Sequence, residues 1–414
     1  MNRTALACTL TAGAAILVAA AIVAAGPLDP PAGPVTSTHK TLTEVEPRIA
    51  INAANTPGDA DSVFRITQPG SYYLTGNITG MAGKIGIEVS HPPEDGAGVT
   101  IDLMGFEMVG VAGSLDGIRF VPNGRNLTVR NGTIRNWGGD GINSERQVTT
   151  FRELHVLLNV GAGIRGGTHC RVVDCTAFGN SGDGIVTSSA STVDGCSSSS
   201  NGGRGIVTGL GSTVLSSRVF INSSTGISVG NGSTVAHCSA QNNQSGGGIV
   251  TGSDCTVTAC TAQNNIAADG INVGAGSTVS GCTANSNSVH GITTASRGHV
   301  TGCSASFNGH NGISIIGENA HVVGNACSNN GSVGAGSGIR ATASRSRIEG
   351  NTLDSNDFGI FLEAPVTGCF VVNNHAVGNG TNYNTPAGGN FIGTIVTSNA
   401  AMNAAANALV NISF

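Results

Sequence analysis

A Gly-Ile pair recurs through the chain at near-constant spacing. Its isoleucines are Ile118, Ile142, Ile164, Ile185, Ile206, Ile227, Ile249, Ile271, Ile292, Ile313, Ile339 and Ile360, separated by 21 to 26 residues. No single helix or strand has a period this long. A repeat of this length marks one supersecondary unit that is stacked many times, because a lone unit cannot bury its own apolar edge. Two further columns keep phase with the first. Asn recurs from Asn136 through Asn159, Asn180 and Asn201 to Asn379. A Cys or Asn column (Cys175, Cys196, Cys238, Cys260, Cys282, Cys303, then Asn325, Asn351 and Asn374) follows three residues after a Val or Ile such as Val172 or Val193.

Within each repeat the segments alternate like strands, and none is long enough for a helix. About 22 residues suit three short strands and three turns, wound as one triangular coil. Stacked coils would bring equivalent residues about 4.8 Å apart. The expectation is an all-β, single-stranded right-handed parallel β-helix of about 12–14 coils, capped at both ends. Ile, Val and Cys form the inward files, Asn satisfies turn backbone groups, and the Gly before each Ile marks a turn with positive φ. Leucine-rich repeats would need a Leu scaffold, and calcium-binding nonapeptide repeats a Gly-Gly-x-Gly-x-Asp signature; the chain has neither.

Composition agrees with a repeat array. Gly numbers 63 of 414 residues, and charged residues are only 10%. Disordered tails are charge-rich and poor in Ile and Val, and collagen needs Gly at every third position. The net charge of -5 is thinly spread, with Lys only at Lys40 and Lys84. Nucleic acid is therefore excluded as a partner, since it demands a basic stripe.

Residues 1–25 read as a signal peptide: Arg3, an apolar Ala-rich run, then Val23-Ala24-Ala25 before Gly26. The run is also long enough for a retained anchor, but Ala holds weakly in a membrane, which favours cleavage. Residues 26–45 are a Pro/Thr/Ser-rich linker, 46–390 the β-helix and 391–414 a C-terminal cap with an Ala/Asn-rich stretch that could be a short helix. No other segment could span a membrane. Such a chain is secreted, periplasmic or at the cell surface. The repeat carries no signal of oligomeric state.

Asn126-Leu-Thr-Val-Arg-Asn-Gly-Thr-Ile-Arg-Asn136, leading to Gly141-Ile142, resembles a coil of the pectate-lyase-like superfamily, in its uncharacterised right-handed β-helix repeat branch. So does Ser71-Tyr-Tyr-Leu-Thr-Gly-Asn-Ile-Thr79. The resemblance spans roughly residues 61–390 and implies the fold. It implies less about function: the superfamily includes lyases, hydrolases and epimerases of uronic-acid polysaccharides, and members without known activity. By the same resemblance, the strand bearing the Val column is the first sheet, where the lyases place catalytic Arg and calcium-binding Asp. The Asp-Pro-His-Asp of alginate epimerases is absent, as is the Asn-Thr-Asp, Asp-Asp and Gly-His-Gly set of polygalacturonases. Gly309-His310-Asn311-Gly312 lies in a turn, not on the first sheet.

Ten cysteines follow Cys8. In-register side chains stack beyond the usual disulfide Cβ separation, so most read as buried thiols acting as small hydrophobes. There is no Cys-x-x-Cys and the histidines are scattered, which argues against a cysteine/histidine metal site. The most charged part of the first sheet is the column just before the Cys position. There Arg130 is aligned with Glu153, Asp174 and Gly195, and Arg152, Arg171 and Asp194 lie next to them. The candidate catalytic residues are Arg130, Glu153, Asp174 and Asp194. Their carboxylates could bind Ca²⁺ or neutralise a uronate, with an arginine as the base. The plainer reading is surface ion pairing between coils. The Asp residues before Gly-Ile (Asp116, Asp140, Asp183, Asp269) read as turn formers. No cofactor signature is present beyond that Ca²⁺ expectation. The functional expectation is binding of extended, uronic-acid polysaccharide at the cell envelope. The alternatives are a structural or adhesive surface protein, and a lyase- or epimerase-like enzyme.

Overall fold

The computed structural model describes residues 47–90, 98–120, 126–145, 147–386, 388–398 and 409–413. The segments assigned to signal and linker lie outside the described residues. Among the described residues no helix is long and apolar enough to cross a membrane.

Every full coil contributes three short strands. In one coil these are Arg171–Val173, Thr176–Phe178 and Ile185–Thr187. Each pairs in parallel with its counterpart one coil on: Val172 with Val193, Ala177 with Ser198, Ile185 with Ile206. We name the three resulting faces sheets I, II and III. Sheet III has 15 strands, while sheets I and II are joined into one of 30. The joining elements are Leu127–Arg135 and Thr149–Leu157, which run through both faces. The count exceeds the 12–14 coils expected because Ser62–Ile66 and Thr381–Asn384 pair as rungs without a Gly-Ile pair to mark them. The twelve isoleucines form one file in sheet III, each with no exposed surface. The Val column forms the matching file in sheet I. The sheets also run on into the segment expected as a cap: Phe391–Ile392 pairs with Phe370–Val371, and Ile412–Ser413 with His375–Ala376.

The corners follow one rule. A single residue in the left-handed region precedes each inward polar residue: Asp174 (φ 52°) before Cys175, Gly179 (φ 66°) before Asn180, Ala190 (φ 56°) before Ser191. The inward residue then ties coils together. From Asn159 to Asn379 each Nδ2 donates to the next Asn Oδ1 at 2.9–3.1 Å. The same oxygen accepts the backbone N–H of the preceding Asn, as Asn222 N does to Asn243 Oδ1 at 3.2 Å. A second ladder links Asn325, Asn351, Asn374 and Asn411. Buried amides are thus paired, as burial demands.

Two details differ from expectation. Asn136 is exposed and outside the ladder. Its place is taken by Trp137, whose N–H donates to Asn159 Oδ1 and whose indole Nε1 donates to Met108 O. Its ring packs against Gly80, Gly86 and Gly117, where an added Cβ would stand 2.6–3.1 Å from it. The Gly before each Ile has no positive φ. It is needed because a Cβ on Gly205 would stand 2.6 Å from Gly226 O and 2.7 Å from Asn222 Nδ2. The constraint is contact with the Asn ladder, not backbone conformation.

All ten described cysteines are free and buried. Cys260 and Cys282 donate their backbone N–H groups to the sulfurs of Cys282 and Cys303. Burial pushes the Cys170 thiol up to about 12, so it stays protonated and inert.

Candidate functional site

On sheet I, residues either side of the buried Val point outward, and register fixes two outer columns. The first runs Thr128, Thr150, Arg171, Thr192, Thr213, Thr234, Thr256 and Thr278. The second runs Asp102, Arg130, Arg152, Val173 and Asp194. Beyond it lies the corner between sheets I and II, where Asn131, Glu153, Asp174 and Gly195 all have positive φ.

The four candidate residues therefore divide. Arg130 does not share a column with Glu153 and Asp174; Asn131 does. Arg130 stands one residue after the buried Val129 and pairs with Arg152, whereas Asn131 stands two after it, as Glu153 does after Phe151. Arg130 is committed to Asp102, with Nη2 2.9 Å and Nε 3.0 Å from Oδ2. Asp102 is buried and also accepts from Arg48 and from the Met104 N–H. Arg130 is a strut between coils.

Glu153 and Asp174 do come together. With Thr128, Thr150, Arg152, Arg171 and Val173 they line an open depression of about 410 Å³. Asp194 lies one coil further along the second column and is not part of that lining. Asp174 has a local reason to be there, since Asp tolerates the left-handed region. Glu153, at φ 55°, holds the same one-residue corner that Leu158, Ala190 and Ile221 hold elsewhere, so its backbone follows the common rule of the coils. Its carboxylate reaches only 3.8 Å from Arg152 in a mutually exposed pair. Arg171 is exposed and has no acidic partner among the described residues. Arg152, Arg171 and the threonines were legible by counting outward from the Val file.

The acids of the turns before Gly-Ile are structural. Asp140 Oδ1 accepts the Ala162 N–H and Oδ2 holds Arg165 at 2.8 Å. Asp183 does the same for the Arg204 N–H and guanidinium. Asp116 accepts the Asp140 N–H and pairs with Arg119, and Asp269 accepts the His290 N–H. They are turn residues that tie each coil to the next. Among the described residues no three His, Cys, Asp or Glu side chains gather as a metal centre.

Parallel strands, one-residue corners and inward amide ladders decide the architecture. The fold is a right-handed parallel β-helix. Residues 111–245, which contain the whole depression, match the family model of the right-handed β-helix region. No curated protein matches the chain. Among solved structures, the A-module of the Azotobacter vinelandii mannuronan C-5 epimerase AlgE4 is similar to this β-helix at 15% identity. That likeness covers 77% of this chain and 91% of the other, with a TM-score of 0.46. The siphovirus 9NA tailspike receptor-binding domain is similar at 10% identity, over 92% of this chain and 75% of its own, with a TM-score of 0.46. Pectate lyase Pel9A is similar at 14% identity, over 74% and 72%, with a TM-score of 0.29.

Proposed function

We propose that this β-helix is exported and binds an extended, uronic-acid type of polysaccharide at the cell envelope, docked on the depression of sheet I. The observation that carries this is Arg171. It is exposed, without an acidic partner among the described residues, and it stands beside Arg152 in a concavity edged by two threonines. Elsewhere on the early coils arginines are spent on inter-coil carboxylates, as Arg130, Arg165 and Arg204 are. A guanidinium fork suits a carboxylate in two-point geometry. From Arg171 the same column continues as five threonines, one per coil, to Thr278. A row of hydroxyls leading from an open cation fits a polymer better than a compact ligand.

The test is calorimetric titration of oligogalacturonate and oligoguluronate, with a neutral glucan as control. Arg171→Ala is expected to weaken acidic-glycan binding at least tenfold, and Arg130→Ala to leave it within about twofold, because one charge-assisted hydrogen bond contributes about 1.5–3 kcal/mol. Equal binding of the neutral glucan, or an unaffected Arg171→Ala, would refute the reading. A lyase- or epimerase-like activity is a second reading, favoured by Arg152, Glu153, Arg171 and Asp174 sharing one depression. Absence of unsaturated uronate or altered epimer content after incubation with pectate and alginate, with and without Ca²⁺, would remove it.

A further inference from the structure

Parallel register turns one repeat of sequence separation into contact in space, and it does so twice for histidine. His290 and His310 lie in the turns of consecutive coils, and His299 and His321 on consecutive strands of sheet I. The ring centroids are 5.9 Å apart in both pairs.

The first pair is already engaged. Nδ1 of His290 accepts the backbone N–H of Asn311 at 3.2 Å, and Asn311 Oδ1 accepts the Ser337 N–H at 2.9 Å. A neutral imidazole whose Nδ1 accepts a hydrogen bond keeps its proton on Nε2 and has no lone pair left for a metal. His290 is part of the turn scaffold.

The second pair is free. His299 and His321 are directly opposed in register and both exposed. Neither imidazole has a hydrogen-bond partner among the described residues, and their shared ring contact is the one interaction between them. The next residue in the column, Arg347, is turned aside: it pairs with Glu349 and lies 4.9 Å over the Phe370 ring. The preceding residue in the column is the small Thr278.

We propose that His299 and His321 form a surface site for a divalent transition-metal ion, Cu²⁺ foremost, held by one nitrogen from each ring. Imidazole prefers copper, nickel and zinc over calcium or magnesium, and Cu²⁺ heads the affinity order for such ligands. Metal–imidazole bonds of about 2.0–2.1 Å let one ion bridge two rings at the observed separation. The strands fix the backbone spacing, so only two exposed side chains need to settle. Two imidazoles leave the remaining coordination positions to water or to an anionic ligand. The pair lies six and seven coils from Arg171 along the same column and does not depend on the polysaccharide reading.

The experiment is titration of Cu²⁺ alone into the full chain in a non-chelating buffer at neutral pH, followed by electron paramagnetic resonance of the bound ion. One dominant site with nitrogen coupling from two imidazoles is expected. His299→Ala and His321→Ala should each weaken it at least tenfold, with the double variant adding little, while His310→Ala retains it. Both rings are exposed, so unchanged thermal midpoints will certify folding. No Cu²⁺ site in the native chain, a site surviving in both His299→Ala and His321→Ala, or an equal loss in His310→Ala would overturn the proposal.

Discussion

Ile221 occupies a corner at φ 53° and is 41% exposed. Equivalent corners hold Gly179, Asn242 and Asn264, residues that enter the left-handed region at little cost. A β-branched residue there costs about 1–2 kcal/mol. Ile221→Asn is therefore expected to stabilise the protein by about 1 kcal/mol, read as a higher urea midpoint; an unchanged or lower midpoint would contradict the corner rule. At this scale the sequence was legible where a residue type has one physical use. The ladder asparagines and the buried isoleucines stood out because each recurs at one fixed place in every repeat. The Gly before Ile was equally visible, but its reason was not: the missing Cβ makes room for a neighbouring coil's amide, a contact that no single repeat contains. Arg130 lies one residue short of the corner, which the parallel register gives to Asn131.

The elements are short, and their strength comes from what joins them. Strands of three residues, such as Thr234–Ala236, make few hydrogen bonds each. The amide ladders bind coil to coil at positions where the chain turns. Asn243 Oδ1 accepts both the N–H and the Nδ2 of Asn222, and its own Nδ2 donates to Asn265. Asn243→Ala would leave the Asn222 N–H without an acceptor, at about 1–3 kcal/mol, and remove one of the two bonds of Asn222 Nδ2, which keeps Ser198 O. A loss of at least about 2 kcal/mol in denaturant stability is expected, whereas an exposed amide outside the corners, such as Gln68→Ala, should change little. Near-equal effects would mean that the ladder is incidental. The depression belongs to this scale as well. Two of its lining residues, Glu153 and Asp174, were among the candidates read from the sequence. Its boundary was not, because only strand register separates Arg152 and Arg171 from the struts Arg130 and Arg165.

Taken over the whole described solenoid, the parallel register is what gives every other statement its meaning. It stacks isoleucines, threonines, thiols and histidines into straight files, and so decides which charges meet and which remain open. The ten described thiols are buried within it, so labels can be directed to introduced surface cysteines. Nitroxides at Thr192 and His321 lie six rungs apart in one sheet I column, and at Thr192 and Phe370 eight rungs apart. With about 4.8 Å per rung, pulsed dipolar spectroscopy should return backbone separations of about 29 Å and about 38 Å, rising linearly with rung number. Distances that fail to grow with rung number, or that fall well short of these values, would contradict the stacked coil and every site built on it.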